Sequence, residues 1–392
     1  MHDHRPARSY SLTVPSEEAA RAVADVLAQR GHRLVAVRIV DHYHFDPTSW
    51  WYGKPSMRPD FTGWWDVFGA LVDTVPQPES RERAAIREIA RTYGGVAGGM
   101  GGGNAETVLG MFNRDGLVHE LTGEQAAARR AALAGSSPVG PRPTGPRPAA
   151  PLTGRPPADE RVELAAIVEG LGDGRGAEDS DDAGELLGDL FNAAMHQGTC
   201  YAHTAGSVPE FIMLACDDRI GDPHHGWLLL DLFMIASVGR RDLAATADTR
   251  HALGQALKEA PEAVAARQAV ADGFPALAAR WERESELGRF LLAALAAACP
   301  GSGTGLRPAI GHLRKRYTGT GREVTLRLIE ALADADPERT GSVLREMCSW
   351  DTKAAECCDS PYATPEQQAL DVLENLLIEE LDRAETGTPE RL

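Results

Sequence analysis

A Pro- and Gly-rich segment near the middle of the chain sets limits on its folding. Residues 135–157 read GSSPVGPRPTGPRPAAPLTGRPP, with eight Pro, four Gly and no apolar periodicity. Such a composition favours an extended, solvated linker. The chain has 392 residues, which is long for a single core. The sequence therefore predicts two domains, residues 1–120 and residues 159–392, joined by a linker over residues 121–158 that opens with a short helix.

The acidic excess of the chain is concentrated in its second half. There are 57 Asp and Glu against 40 Lys and Arg, a net charge of −17. The net charge is −2 in residues 1–120, +4 in residues 121–158 and −19 in residues 159–392. Nucleic acids and anionic lipids are bound through Lys and Arg, so the charge disfavours both. We expect a basic protein partner, with no direct nucleic-acid contact and no membrane contact.

Targeting signals and cysteine usage indicate the compartment. Met1 is not followed by an apolar run of the kind found in secretory signals. The longest apolar runs, such as Phe290–Cys299, fall short of the ~20 residues that span a bilayer. The six Cys form no CxxC pair, which suits reduced thiols packed as small apolar groups. The sequence therefore predicts a cytoplasmic protein with neither a cofactor nor a metal site.

The N-terminal part mixes strand and helix signals. Apolar residues alternate over Tyr10–Val14, as in a half-buried strand. Ser16 suits the N-cap of a helix that ends at Gly31, and the β-branched run Leu34–Val40 indicates a second strand. Three further elements are predicted: a strand at Trp64–Val75, a helix at Glu79–Tyr93 and a strand at Val96–Met100. The order βαββαβ predicts a ferredoxin-like α+β domain.

Four short motifs in this part follow one another in a recognisable order. They are Tyr10–Gly31, then Trp65-Asp66-Val67 after a long loop, then Val75-Pro76, then a helix that ends in Tyr93-Gly94-Gly95. Together they resemble the RNase E activity regulator B family, over under a quarter of the chain. The aromatic insertion at Trp50-Trp51-Tyr52 departs from that family. The resemblance implies an acidic, non-enzymatic domain that binds another protein.

The C-terminal part carries helical patterns with almost no strand signal. Pairs of helices recur at very roughly 40 residues, the period of HEAT-like arrays, which stack into a curved α-solenoid. The predicted helices are Arg161–Leu171, Asp182–Met195, Gly206–Cys216, Trp227–Val238, Thr249–Ala260, Ala263–Trp281, Glu286–Ala298, Leu306–Tyr317, Val324–Ala335, Glu338–Cys348 and Glu366–Leu381. We therefore expect an all-α HEAT-like solenoid over residues 159–392.

One string supports this expectation. Residues 191–201 read FNAAMHQGTCY, and Thr204–Phe211 follows them with a Val-Pro pair. These residues resemble the N-terminal repeat of actinobacterial HEAT-repeat proteins, in which a His-Gln-Gly-Thr turn joins two helices. The local match spans roughly 50 residues, and Glu210 is an insertion relative to that pattern. The resemblance implies an architecture and no particular activity.

The same string is the most distinctive candidate site. In a functional interpretation His196, Gln197 and Tyr201 line a groove that binds a partner or ligand. In a structural interpretation the string is a turn, in which Gly198 supplies the backbone angle and the polar side chains bond free backbone groups at helix ends. The structural interpretation is favoured. Nearby Cys and His residues lack the spacing of a zinc site, so no metal is expected.

Two other segments allow more than one interpretation. Trp50, Trp51 and Tyr52 lie in a loop with few other apolar residues and could anchor a protein partner, or they could cover the open face of a small sheet. The glycine run Gly98–Gly103 lacks the Lys and Ser or Thr of a phosphate-binding P-loop. It is better explained as a flexible strand with an exit loop.

These observations predict a non-enzymatic, protein-binding regulator or inhibitor, plausibly of a nuclease or toxin, as in an immunity protein. The acidic surface then serves as a binding face for a basic protein or as a mimic of nucleic acid, and simple solubilisation is the third explanation. One alternative is an enzyme or small-ligand binder with a site around His196–Tyr201. Another is a scaffold that joins two partners, one per domain.

Overall fold

The computed structural model describes residues 5–40, 61, 63–72, 79–110, 112, 114, 116–133, 187–188, 190–196 and 199–386. The chain divides into two compact units, residues 1–155 with 248–256 and residues 156–247 with 257–392. The first, here the sheet unit, contains an antiparallel sheet, and the second, here the helical unit, is mostly helical. The expected division into an α+β part and a helical part is thus confirmed at this level.

The sheet unit begins with the element order βαββαβ and continues beyond it. Its elements are β1 (Pro6–Val14), α1 (Glu17–Gln29), β2 (Leu34–Ile39), β3 (Trp65–Val72), α2 (Glu79–Thr92), β4 (Val96–Asn104), α3 (Ala105–Gly110), β5 (Leu117–Glu120) and α4 (Gly123–Leu133). The strands lie in the order β4-β1-β3-β2-β5, and all pairs are antiparallel. The short elements α3 and β5 were not predicted from the sequence.

The two faces of the sheet are covered by different elements. On one face Tyr10, Leu12 and Val14 of β1 pack against the apolar stripe of α1 and against α2, as their alternation predicts. On the other face α3 places Ala105 and Val108 over Ala7, Leu34, Ala70 and Val72. The small helix therefore closes one end of a face that a four-stranded sheet would leave open.

Helix α4 extends the sheet unit past residue 120, where the sequence placed the start of the linker. Thr122 and Gln125 form a capping box, with Gln125 N to Thr122 Oγ1 at 3.2 Å and Thr122 N to Gln125 Oε1 at 2.9 Å. Ala126 is fully buried, and Arg129 donates to the carbonyl of Ala28 at 2.9 Å. These contacts hold the short helix predicted there against the end of α1. Residues 134–158 lie outside the described residues.

The helical unit contains a small hairpin followed by nine helices in residues 199–386. Its elements are β6 (Met195–His196), β7 (Thr199–Cys200), α5 (Thr204–Ala215), α6 (His224–Ala252), α7 (Pro261–Ala278), α8 (Glu286–Ala298), α9 (Arg307–Arg316), α10 (Gly321–Ala333), α11 (Pro337–Cys348), α12 (Thr352–Cys357) and α13 (Pro365–Thr386). A 3₁₀ turn at Ser302–Leu306 precedes α9. The predicted helix at 161–171 falls outside the described residues.

Helix α6 corrects the prediction of two helices at Trp227–Val238 and Thr249–Ala260. The intervening charged residues continue the helix, because Arg240 and Arg241 are buried and paired. Arg240 Nη1 lies 2.6 Å from Glu366 Oε1, and Arg241 pairs with Glu374. The chain leaves the helix before Gly254, whose φ of +63° is left-handed. The prediction of two helices is wrong because the partners that bury these two charges lie far away in the sequence.

The helices of this unit share one hydrophobic core that runs from Leu187 to Leu381. Helix α13 packs against the three helices that precede it, α10, α11 and α12, and against α8, which is more distant in sequence. Ion pairs also join successive helices, with Arg314 Nε of α9 and Glu330 Oε1 of α10 3.0 Å apart. In the parts of the chain that the structure describes, we find no helix with the length and apolar character needed to cross a membrane.

Candidate functional site

The structure describes only part of the predicted site. Trp50, Trp51, Tyr52 and Gln197 lie outside the described residues. The backbone of His196 belongs to β6, and Tyr201 directly follows β7. The motif is thus a hairpin between two helical segments, with Met195 paired to Cys200 and His196 to Thr199.

Side chains that follow this hairpin bond backbone groups around it. Thr204 is fully buried; its Oγ1 donates to the carbonyl of Ala194 at 2.5 Å and accepts from the backbone N–H of Tyr201 at 2.7 Å. His203 Nε2 lies 2.8 Å from the carbonyl of Ala193. Because a carbonyl oxygen only accepts, this nitrogen carries the proton. Together these bonds satisfy the end of the preceding helical segment.

The rings beside the hairpin also contact each other. The ring centroids of Tyr201 and His203 are 5.3 Å apart, with an angle of 13° between the planes. Burial raises the pKa of the neighbouring Cys200 thiol to about 11, so the thiol is protonated at neutral pH. This arrangement favours the structural interpretation of the motif, since His203 and Thr204, which follow it, bond the backbone of the turn itself.

A buried polar chain lies in the helical unit, at the start of α6. His225 Nε2 lies 2.7 Å from Glu284 Oε2, and Arg280 Nε lies 2.9 Å from Glu284 Oε1. Arg280 also donates to the carbonyl of Cys216 at 2.9 Å. Burial raises the pKa of Glu284, but the bonds and charges of His225 and Arg280 outweigh it and leave that pKa below its usual value. The chain ties α5, α6 and the turn after α7 together.

Within the described residues, no group of three or more His, Cys, Asp or Glu side chains is arranged to hold a metal ion. Cys200 and His203 are used by the hairpin as described. His225, from the pair His224-His225, faces Glu284. Cys200 and His203 thus lie at the hairpin, whereas His225 lies at the start of α6.

Strand β4 lies at one edge of the sheet, and β5 lies at the other. β4 is the outermost strand, pairs with β1, and has no second neighbour among the described strands. The whole glycine run lies within this nine-residue strand. The exit loop that the sequence predicted for part of the run is therefore strand. Gly98 and Gly101–Gly103 are exposed. An exposed strand edge presents N–H and C=O groups that can pair with another strand.

The glycines of β4 differ in the space that a side chain would have. A Cβ at Gly95 would lie 2.3 Å from the carbonyl oxygen of Thr13, and one at Gly98 would lie 2.4 Å from Ser11 Oγ, so β1 crowds both positions. A Cβ at Gly102 would meet no atom within 4 Å, and one at Gly103 would be in ordinary contact at 3.6 Å. Each glycine in a strand costs roughly 0.5–1 kcal/mol relative to alanine. The described residues therefore give no packing reason for the last glycines.

Comparisons with known proteins give no match. No protein-family model matches it, and neither a curated protein nor a solved structure does so. The site must therefore be judged on its own geometry. Reasoning from the sequence identified the glycine run but missed the strand edge, because pairing partners are a tertiary property. The five glycines of residues 98–103, GGMGGG, were the available signal.

Proposed function

We propose that this chain is a non-enzymatic, protein-binding regulator or inhibitor and that its partner adds a strand at the free edge of β4. The observation that carries the proposal is the bare end of β4, where Gly102 and Gly103 have room for a side chain and carry none. A strand that is added to a sheet edge gains main-chain hydrogen bonds and needs close backbone approach. Glycine provides that approach.

In this proposal the sheet unit is a ferredoxin-like domain of the RNase E activity regulator B type. The strand order β4-β1-β3-β2 supports it, while β5 and α3 are additions. The HEAT-like solenoid is proposed for the succession α9, α10 and α11, in which each helix is ion-paired to the next. The wider contacts of α13 are those of a closed bundle, since solenoid repeats touch only their neighbours.

The partner is proposed to be a basic protein, such as a nuclease or a toxin. Residues 199–386 contain 19 Lys and Arg against 29 Asp and Glu, a net negative charge that attracts a basic surface. The edge of β4 itself is uncharged. Main-chain pairing would give the affinity, and the acidic surroundings would speed association with a basic partner.

Affinity capture with edge variants tests the proposal. The full chain, its Gly102→Lys variant and its Gly123→Lys variant are used to capture proteins from cells that express the protein naturally. A Cβ meets open space at both positions, so both variants should fold, but only Gly102→Lys puts a charge on the strand edge. We expect a protein that is retained by the full chain and by Gly123→Lys and is lost with Gly102→Lys. Equal retention by all three chains, or no retained protein, would contradict the proposal.

A further inference from the structure

A basic island interrupts the acidic helical unit. Between Glu286 and Glu323 the sequence has no Asp or Glu and six Lys or Arg. Three of the six, Arg314, Lys315 and Arg316, form the last turn of α9. The sequence of α8 and α9 is therefore locally basic, although Arg307, Arg314, Arg316 and Arg322 each pair with a carboxylate in the folded unit.

A cavity of about 340 Å³ lies at this island. Trp281 and Leu313, which are 7% and 4% exposed, provide an apolar wall. Ala309 also lines the cavity. The polar residues of the lining are Glu282, Arg289, His312 and Arg316. The volume lies at the lower end of the range for small-molecule sites.

Two backbone carbonyl groups hold the guanidinium of Arg289 in place. Its Nε donates to the carbonyl of Trp281 at 2.9 Å, and its Nη2 donates to the carbonyl of Glu282 at 3.0 Å. These two bonds fix the guanidinium at the wall of the cavity. Carbonyl groups carry no net charge, so the full positive charge of Arg289 remains for a ligand.

Arg316 and His312 complete the polar wall. Arg316 pairs with Glu286, and the hydroxyl of Tyr317 donates to the same carboxylate, so that carboxylate is shared between two donors. His312 Nδ1 lies 2.9 Å from the carbonyl of Pro308 and therefore carries a proton, which leaves Nε2 to meet a ligand.

Glu282 is the one acidic side chain in the cavity lining and is exposed. The lining therefore holds two permanent positive charges against one negative charge, and because Arg316 shares its charge with Glu286, Arg289 supplies the charge that no described carboxylate pairs with.

We infer that this cavity binds a small organic anion, namely a carboxylate or phosphate group attached to an aromatic or apolar body. Arg289 and Arg316 would hold the anionic group, since guanidinium groups match carboxylate and phosphate geometry. The apolar body would lie against Trp281 and Leu313. This inference is independent of the strand edge of β4, because it concerns another unit and another class of ligand.

Ligand-observed saturation-transfer NMR on the full chain tests the inference with three probes. They are phenyl phosphate, phenylacetate and the uncharged benzyl alcohol. We expect at least one of the two anions to bind with a dissociation constant of about 1 mM or tighter, and the alcohol to bind at least fivefold more weakly. The anion that binds more tightly identifies the group, phosphate or carboxylate. No transfer to either anion, or equal binding of the alcohol, would overturn the inference.

Two variants test whether the anionic probes bind in the cavity. Arg316→Gln removes a charge, and Ala309→Phe fills the space while leaving every charge in place. Arg327→Gln is the matched control, because this arginine lies on α10, outside the cavity lining, and pairs with Glu346. Thermal unfolding shows that each variant is folded. We expect Arg316→Gln to lower the affinity for the anion at least fivefold and Ala309→Phe to abolish binding. Arg327→Gln should leave the affinity unchanged. Unchanged binding in either cavity variant would overturn the site.

Discussion

His225 and Glu284 form a hydrogen bond of 2.7 Å, Nε2 to Oε2, inside the helical unit, where both residues are less than a tenth exposed. They are 59 positions apart in sequence. Arg280 is partly buried, shares the same carboxylate and also pairs with Asp218, so the glutamate orients a buried histidine and one side of a guanidinium. Buried charges of this kind are stable only while every partner is present.

Removal of the shared carboxylate should be costly. We expect Glu284→Ala to lower the free energy of unfolding by about 2 kcal/mol, because it leaves the buried His225 ring without its acceptor and removes one of the two carboxylates that pair with Arg280. Chemical denaturation followed by circular dichroism measures this loss. The exposed neighbour Glu282 is the control, and Glu282→Ala should change stability by less than about 0.5 kcal/mol. A similar small effect for both variants would show that the buried chain adds nothing to stability.

Glu82 should make the sheet unit sensitive to acid. Burial raises the pKa of Glu82, but the hydrogen bonds from His32 and Arg30 outweigh it and hold the pKa at about 2, against an ordinary value of 4.5. Because the folded pKa is the lower one, the stabilisation is complete above about pH 4.5 and is lost as the pH falls toward 2. It amounts to about 2–3 kcal/mol.

The measurement is unfolding free energy against pH for Glu82→Gln and for Glu17→Gln, an exposed glutamate of α1. We expect Glu82→Gln to be less stable at pH 7 and to lose less stability than the natural chain between pH 4.5 and 2. Glu17→Gln should follow the natural chain. Parallel pH profiles for all three proteins would refute the assigned role of Glu82.

Two glycines with left-handed backbones should differ sharply in their tolerance of alanine. Gly63 and Gly116 have φ of +79° and +74°. A Cβ at Gly63 meets nothing within 4 Å, whereas one at Gly116 would lie 2.0 Å from the carbonyl oxygen of Val37. We expect Gly63→Ala to cost about 1 kcal/mol from backbone conformation alone and Gly116→Ala to cost at least twice as much, because β5 must move away from β2. Thermal unfolding of both variants gives the comparison, and equal costs would contradict it.

Asp231 should oppose the stability of the helical unit at neutral pH. It lies in α6 among buried leucines and is 6% exposed. Burial raises its pKa well above the ordinary value. Since the folded pKa is the higher one, folding is progressively opposed as the pH rises above the unfolded value of 3.8.

Asp231→Asn should therefore be more stable than the natural chain at pH 7 by about 1–2 kcal/mol, and the difference should shrink toward pH 4. Unfolding curves at the two pH values measure it. Asp242→Asn, in the same helix, is a control for the loss of a carboxylate elsewhere. A variant that is less stable at pH 7 would show that the carboxylate of Asp231 has a stabilising role.

Local pattern was enough to predict much of the sheet unit. The alternation at Tyr10, Leu12 and Val14 indicates a strand with one buried face, and Ser16 caps the helix that follows, accepting from Ala19 N at 3.2 Å. Such signals depend on neighbours within a few residues, so they can be read before the fold is known. The same kind of reasoning missed α3 and β5, which are too short for a periodic pattern to emerge.

The candidate sites depended on tertiary structure in a different way. Gly102 is one glycine among several in the sequence, and only the position of β4 at the edge of the sheet makes its bare backbone available. Arg289, His312 and Arg316 are scattered over 28 positions, and only the tertiary packing of the helices brings them to one cavity.

The sequence by itself determined the order of the strands and helices from β1 to β4, and that a helical part follows a Pro- and Gly-rich segment. Tertiary structure alone decided that α6 continues through Arg240 and Arg241, where the sequence predicted two separate helices. The reason is physical: helix propensity and capping act over a few residues, whereas the burial of a charge depends on a partner such as Glu366, 126 positions away. No local pattern carries that information.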